Sequence, residues 1–271
     1  MALGDKVKLA NTVAMKRYDG LKHSGDEDDA AFLAQLLRLG ILPTGHIHPP
    51  GERALRDLAR KRTQLVRTRT QQVLAVENIL ARTSGTRASG NAIKRLSSEH
   101  VDTLGLAGDV ALAVQANLAI IEVANTHIGQ LEKRLVQGAT PWPEYALLKS
   151  VPGIGEVLAI VILLETGDIA RFARVGNFAS YARCVDSVRT SNGKKKGEGN
   201  TKNGNAYLVW ALIEAANFAR RFSTEAKRFF DKKQAKTNAV VATKALAHRL
   251  ARANYPIMKE NKPFDVKRCF S

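Results

Sequence analysis

Two long stretches in which apolar residues recur every third or fourth position constrain this chain more than any other feature. The first runs from about Glu52 to Arg82 and carries Leu55, Leu58, Leu65, Val66, Val73, Val76 and Leu80 on a ragged heptad. The second, near Ser97 to Gln137, carries Val110, Val114, Leu118, Ile121, Ile128, Leu131 and Leu135. Apolar residues at that period line one face of an α-helix. Joined by the glycine-containing connection from Thr83 to Gly90, the two helices bury their stripes by folding back on each other. The expectation is a mainly α chain built around a long antiparallel coiled-coil arm. Pro141-Trp142-Pro143 then breaks the helix and marks a domain boundary.

The first helix of the arm is also basic, with Arg53, Arg56, Arg60, Lys61, Arg62, Arg67 and Arg69 accompanied by few acids. A solvated helix face would explain such a row, and so would contact with phosphates; Arg56, Arg60 and Arg67 are the candidates for DNA or RNA contact. The whole chain points the same way. Its 271 residues carry a formal net charge of +17 and a pI of about 10.1, which steers a protein toward polyanions. A hydrophobic fraction of 45% rules out disorder throughout. Cys184 and Cys269 are the only cysteines and lie far apart, so neither a disulfide framework nor a zinc site is indicated, and a cytoplasmic protein is expected. The longest apolar run, Val157 to Leu164, falls well short of the ~20 residues a bilayer requires. No membrane partner is expected.

Ahead of the arm, Met1 to Tyr18 alternates Val7, Leu9, Val13 and Met15 with basic residues, a pattern for one or two short strands. Two strands alone are marginal in water, so the sheet they belong to is expected to begin upstream of Met1. Ser24-Gly25-Asp26-Glu27-Asp28-Asp29-Ala30 then leads into a helical pattern through Phe32, Leu33, Leu36, Leu37 and Leu39, stopped by Gly40 and Pro43. With Asp26 as N-cap and Asp28 and Asp29 in the first turn, the acids suit the helix dipole. Asp26 and Asp29 also share a face, and two carboxylates so spaced can help hold Mg²⁺. His46 and His48 read as ordinary loop residues.

Beyond the arm, Val151-Pro152-Gly153-Ile154-Gly155 between two helical segments has the form of a helix-hairpin-helix turn, in which the amides of Gly153 and Gly155 would bind one backbone phosphate. A tight helix-helix turn is the plainer reading of the same residues. The segment Thr190-Ser191-Asn192-Gly193-Lys194-Lys195-Lys196-Gly197-Glu198-Gly199-Asn200 reads as a loop that brings a hydroxyl, three lysines and permissive glycines to a phosphate, with Lys202 close behind. Asn203-Gly204-Asn205 opens a core helix through Tyr207, Leu208 and Trp210. A basic stretch from Lys227 to Lys236 follows, and then a helix from Val240 to Ala253 that Pro256 ends. The tail to Ser271 is expected to be a loosely held cap.

These residues carry a family resemblance. Val-Pro-Gly-Ile-Gly at 151, Gly167-Asp168 with Phe172, Phe178-Ala179-Ser180-Tyr181, and Ser191-Asn192-Gly193-Lys194 through Asn205 resemble the C-terminal domain of the DEDD-type insertion-sequence transposases. Those recombinases join a resolvase-like (RNase H-like) α/β domain to a serine-bearing domain and use a structured bridge RNA. The resemblance implies three parts: residues 1–50 as the C-terminal remnant of the resolvase-like domain, 51–140 as the coiled-coil arm, and 141–271 as the α-helical transposase domain. It implies Ser191 as nucleophile and Asp26 and Asp29 as the last two of four metal-binding acids, with the first two expected upstream of Met1, Mg²⁺ accordingly held weakly, and the chain alone expected to recombine DNA poorly or not at all. DNA, bridge RNA and further copies of the chain are the implied partners. A non-catalytic helix-hairpin-helix DNA-binding or repair protein, and an RNA-binding regulator derived from a transposase, stand as the other readings.

Overall fold

The helical periodicity is realised in the computed structural model, which describes residues 7–11, 15, 25–85, 87–185, 188–198 and 203–270. The chain divides into two compact units, Met1–Pro50 and Gly51–Ser271.

In the first unit, α1 (Asp26–Arg38) begins after Gly25, whose extended backbone makes it the N-cap in place of Asp26. The Gly25 amide donates to Asp28 Oδ2 at 3.4 Å. Asp26, Glu27, Asp28 and Asp29 fill the first turn, where the unpaired amides of the helix end favour negative charge. No side chain of α1 is buried. Ala10 forms an isolated antiparallel bridge with Thr44, flanked by Asn11 N to Pro43 O at 2.8 Å and Gly45 N to Leu9 O at 2.7 Å. The rest of the strands expected over Met1 to Tyr18 lies outside the described residues.

In the second unit, α2 (Pro50–Ser84) and α4 (Gly108–Ala139) are the two long helices, linked by the short α3 (Gly90–Ile93) and a 3₁₀ turn over Ser98–Leu104. The second long helix was expected from Ser97; the chain instead makes the 3₁₀ turn, passes Gly105 in the left-handed region, and restarts at Gly108. The arm helices run antiparallel. Arg62 Nε and Nη2 donate to Glu132 Oε1 at 2.8 and 2.6 Å, and seven residues further along α2, Arg69 Nη1 reaches Asn125 Oδ1 at 2.8 Å. At the far end Val73, Val76 and Leu80 pack with Ile93, Val101, Val114, Leu118 and Ile121 into a core of their own.

After Trp142 the chain forms α5 (Pro143–Leu148), α6 (Glu156–Thr166) and α7 (Val175–Tyr181). Every residue of α6 from Leu158 to Thr166 is buried, so this apolar helix runs through the middle of the main core. A hairpin of β1 (Val188–Ser191) and β2 (Lys194–Glu198) follows, then α8 (Ala206–Phe222), α9 (Thr224–Gln234), α10 (Ala239–Glu260) and α11 (Val266–Phe270). The core gathers Phe178, Leu208, Leu212, Leu246 and Leu250 around α6, and the arm joins it through Ala59, Leu135 and Ala139.

Two expectations for the end of the chain are corrected. Pro256 does not stop α10. It leaves only the carbonyl four residues back without its amide, at exposed Arg252, while buried Tyr255, Ile257 and Met258 hold the helix to the core. Nor is the tail loose. Arg249 Nη1 donates to Cys269 O at 3.0 Å, Phe264 N donates to Ser150 Oγ at 3.0 Å, and Cys269 is buried. Both cysteines are free thiols, and burial pushes Cys184 up to about 12 and Cys269 to about 11.

Candidate functional site

The segment expected as a loop around Ser191 is a β-hairpin. Asn192 and Gly193, with φ of 52° and 70°, form its two-residue turn. Positive φ at both central positions is the geometry whose twist matches that of paired strands, and Asn-Gly is the dipeptide that favours it. Ser191 pairs with Lys194 directly across the turn. Cross-strand neighbours present their side chains on the same face. Ser191, Lys194 and Lys196 are exposed. The register slips between Arg189 and Thr190, which pair with Gly197 and Lys195 and leave Lys196 as the extra residue of a bulge. The side chain of Lys195 and all of Lys202 lie outside the described residues.

The start of α8, the helix that follows this hairpin in the chain, is tied to the core by a network that sequence reasoning missed. Glu165, 1% exposed at the end of α6, receives Arg56 Nε at 2.9 Å and Arg60 Nε and Nη2 at 2.7 and 2.9 Å. Asn205 Nδ2 donates to the same carboxylate at 2.6 Å. Asn205 Oδ1 caps α8 by accepting the amides of Tyr207 and Leu208 at 2.9 and 3.0 Å, and its own amide donates to Tyr181 O at 2.7 Å. One buried carboxylate therefore joins the arm, α6 and the N-cap of α8, and through the Asn205 amide the end of α7. Burial raises the affinity of Glu165 for its proton, but the hydrogen bonds from Arg60 and Asn205 and the charge of Arg56 outweigh it, leaving the carboxyl below its ordinary value. The bond to Glu165 raises Arg60 in turn, against the opposing effect of its burial. Arg56 and Arg60, expected at phosphates, thus share one internal carboxylate, whereas Arg67 is exposed. The readable signal was Glu165 itself, a carboxylate directly after the apolar run from Val157, because such a group is buried only when paired.

The helix-hairpin-helix pattern is present as α5, a turn over 149–155, and α6. Its two glycines differ. Gly153 has φ of 86°, and a Cβ there would fall onto the carbonyl oxygen of Ala215 and 2.5 Å from the amide nitrogen of Ala219, so α8 packs against its bare backbone. Gly155 is the exposed N-cap of α6 with nothing near its missing Cβ. Exposed Glu156 occupies the first turn beside it, so a carboxylate already sits at the positive helix end where a phosphate would bind.

Asp26 and Asp29 are exposed in the first turn of α1, in the first unit. Among the described residues no group of three or more His, Cys, Asp or Glu side chains is arranged to hold a metal ion. Two carboxylates are nonetheless what Mg²⁺ commonly takes from protein, the remainder being water and phosphate, so the pair suits part of a shell.

Residues 145–231, from α5 through the hairpin and most of α9, match the family described as Transposase IS116/IS110/IS902 family. The chain is 26% identical over 220 residues to "Putative transposase y4qE" of Sinorhizobium fredii, covering 79% of this chain and 53% of that protein. To the transposase for insertion sequence element IS1111A of Coxiella burnetii it is 23% identical over 266 residues, 95% of this chain and 71% of the relative. Across 116 residues it is 28% identical to the insertion element IS110 uncharacterized 43.6 kDa protein of Streptomyces coelicolor, covering 43% and 28% respectively. The chain thus spans about half the length of the y4qE protein. Ser191, Glu165, Asn205, Gly153 and Gly155 fall inside the residues matched by the family, while the arm and the residues after Asp231 fall outside them. Among the described residues no helix is long and apolar enough to cross a membrane.

Proposed function

We propose that this chain cuts and rejoins DNA in the transposition of an insertion sequence, with Ser191 as nucleophile. The observation that carries the reading is the exposed Ser191 beside Lys194 at the tip of a hairpin inside the family-matched residues. Ser191 Oγ attacks the phosphorus of a DNA phosphodiester and loses its proton. An O–P bond forms to serine, the P–O bond to one flanking nucleotide breaks, and the departing oxygen takes up a proton. A free DNA hydroxyl then attacks the phosphoserine and releases Ser191, so the bond energy is kept and a new junction is made. The ammonium of Lys194 is placed to hold the phosphate oxygens whose charge grows in each transfer, with Lys196 next along the strand. Asp26 and Asp29 would be ligands to Mg²⁺, which if bound would neutralise charge on a phosphoryl group in transfer, and in this reading they serve the Ser191 of another copy of the chain. A structured bridge RNA and assembly with further copies of the chain complete the reading.

The test compares wild type with Ser191→Ala on insertion-sequence end DNA with Mg²⁺, scoring DNA binding and a protein–DNA adduct that survives denaturation. The adduct should vanish in the variant while affinity stays within about twofold, since one exposed hydroxyl adds little to a grip made by many cations. An adduct that persists moves the nucleophile elsewhere, with exposed Thr190 the next candidate; Ser187 lies outside the described residues. Lost binding makes the hairpin a phosphate clamp.

A further inference from the structure

The second half of α10 and the tail after Asn261, both beyond the family-matched residues 145–231, together with the start of α7, which lies within them, enclose a cleft of about 650 Å³. Neither the hairpin nor the Glu165 network takes part in it. Its walls carry six cationic side chains, Arg174, Arg249, Arg252, Lys259, Lys262 and Arg268, against two carboxylates, Glu260 and Asp265. Those carboxylates are already engaged. Lys262 and Arg268 lie 3.4 and 3.6 Å from Glu260, and Asp265 Oδ1 accepts the amide of Arg268 at 3.1 Å. Arg249 is held by the carbonyl of Cys269, and Lys259 donates to the Tyr255 hydroxyl at 2.8 Å. Among the described residues, the exposed guanidinium groups of Arg174 and Arg252 have neither an ion-pair nor a hydrogen-bond partner. Cations gathered in a concavity without matching anions repel one another, and the arrangement favours an anion brought from outside.

The rest of the lining narrows the choice of anion. Pro256, Ile257, Pro263 and Phe264 form an apolar wall in the same cleft. A rigid duplex offers such a hollow only a convex ridge of phosphates, whereas an unpaired nucleotide can enter it, set its phosphate among the arginines and lay its base against Phe264 and the prolines. The volume lies within the range of pockets that enclose small ligands, about 300–1,000 Å³. We propose that this cleft receives an unpaired nucleotide of a DNA or RNA strand, gripped by Arg174 and Arg252. The proposal rests on the nucleic-acid reading above for its partner class and is independent of Ser191 chemistry.

Fluorescence anisotropy with the full chain tests it, using a single-stranded oligodeoxynucleotide, the matching oligoribonucleotide and the duplex DNA. Arg174→Ser with Arg252→Ser should weaken single-strand binding at least about fivefold and lower the salt slope by about 1.4, the counterion release of two single-strand phosphate contacts. Duplex affinity should change by less than about twofold, because most cations lie elsewhere. Whichever single strand loses more identifies the source of the nucleotide. Equal losses for duplex and single strands, or no loss at all, would overturn the proposal. As a second measurement, photocrosslinks from a thio- or iodo-substituted base should map to residues 252–264, and crosslinks confined to other segments would also overturn it. Failed strand transfer by a wild-type chain whose cleft still binds single strands would sink only the catalytic reading.

Discussion

Gly153 and Gly155 stand two positions apart and answer to different demands. Gly153 combines a left-handed backbone with contact against α8, so Gly153→Ala should lower stability by more than about 2 kcal/mol, the joint effect of backbone strain and a clash in a packed core. Gly155→Ala meets no neighbour and should stay within about 0.5 kcal/mol of wild type in a urea melt. The same variant asks whether the hairpin holds DNA. Reduced affinity at unchanged stability would place a phosphate against the Gly155 amide, and unchanged affinity would leave the motif a packing turn whose positive end belongs to Glu156. The five-residue string alone cannot separate these roles, because both depend on what packs against it.

Glu165 links elements that are far apart in the chain. Replacing it with Gln keeps the shape but leaves Arg56 and Arg60 without their counter-charge, and breaking such a buried pair should cost about 3 kcal/mol in a denaturant titration. Because folding lowers the carboxyl, its contribution is complete above the ordinary carboxylate value of 4.5 and is lost as pH falls toward the depressed folded value. Wild type should therefore lose stability faster than Glu165→Gln as pH drops below 4.5. Parallel acid limbs for the two proteins would show that the network carries no linked proton. The elements read most directly from the sequence are those whose signal is local. The long helices follow from apolar spacing within a few turns, and the Asn192-Gly193 turn was equally readable as a hairpin signal that the surrounding lysines and glycines obscured. What was not readable is pairing at a distance. Arg56 and Arg60 look like any other arginines of a basic helix until α6 brings Glu165 beside them, and Pro256 looks like a stop until the burial of Tyr255, Ile257 and Met258 is known.

For the whole molecule, the internal pairing of Arg56, Arg60 and Arg62 reduces the positive charge of the arm but leaves the chain strongly basic. DNA affinity measured from low to moderate salt should fall with a log–log slope steeper than about −3, several phosphates being neutralised at once. A flat response would remove nucleic acid as the general partner and take the proposed chemistry with it. The arm also has a second consequence, which follows from its separate core. Val76, Leu118 and Ile121 at its far end pack with each other and with Ile93 and Val101, apart from the core around α6. The far end should therefore open while the core around α6 stays folded, and hydrogen exchange should resolve at least two cooperative blocks of amides. A partner that closes on the tip would lock the first block without touching the second.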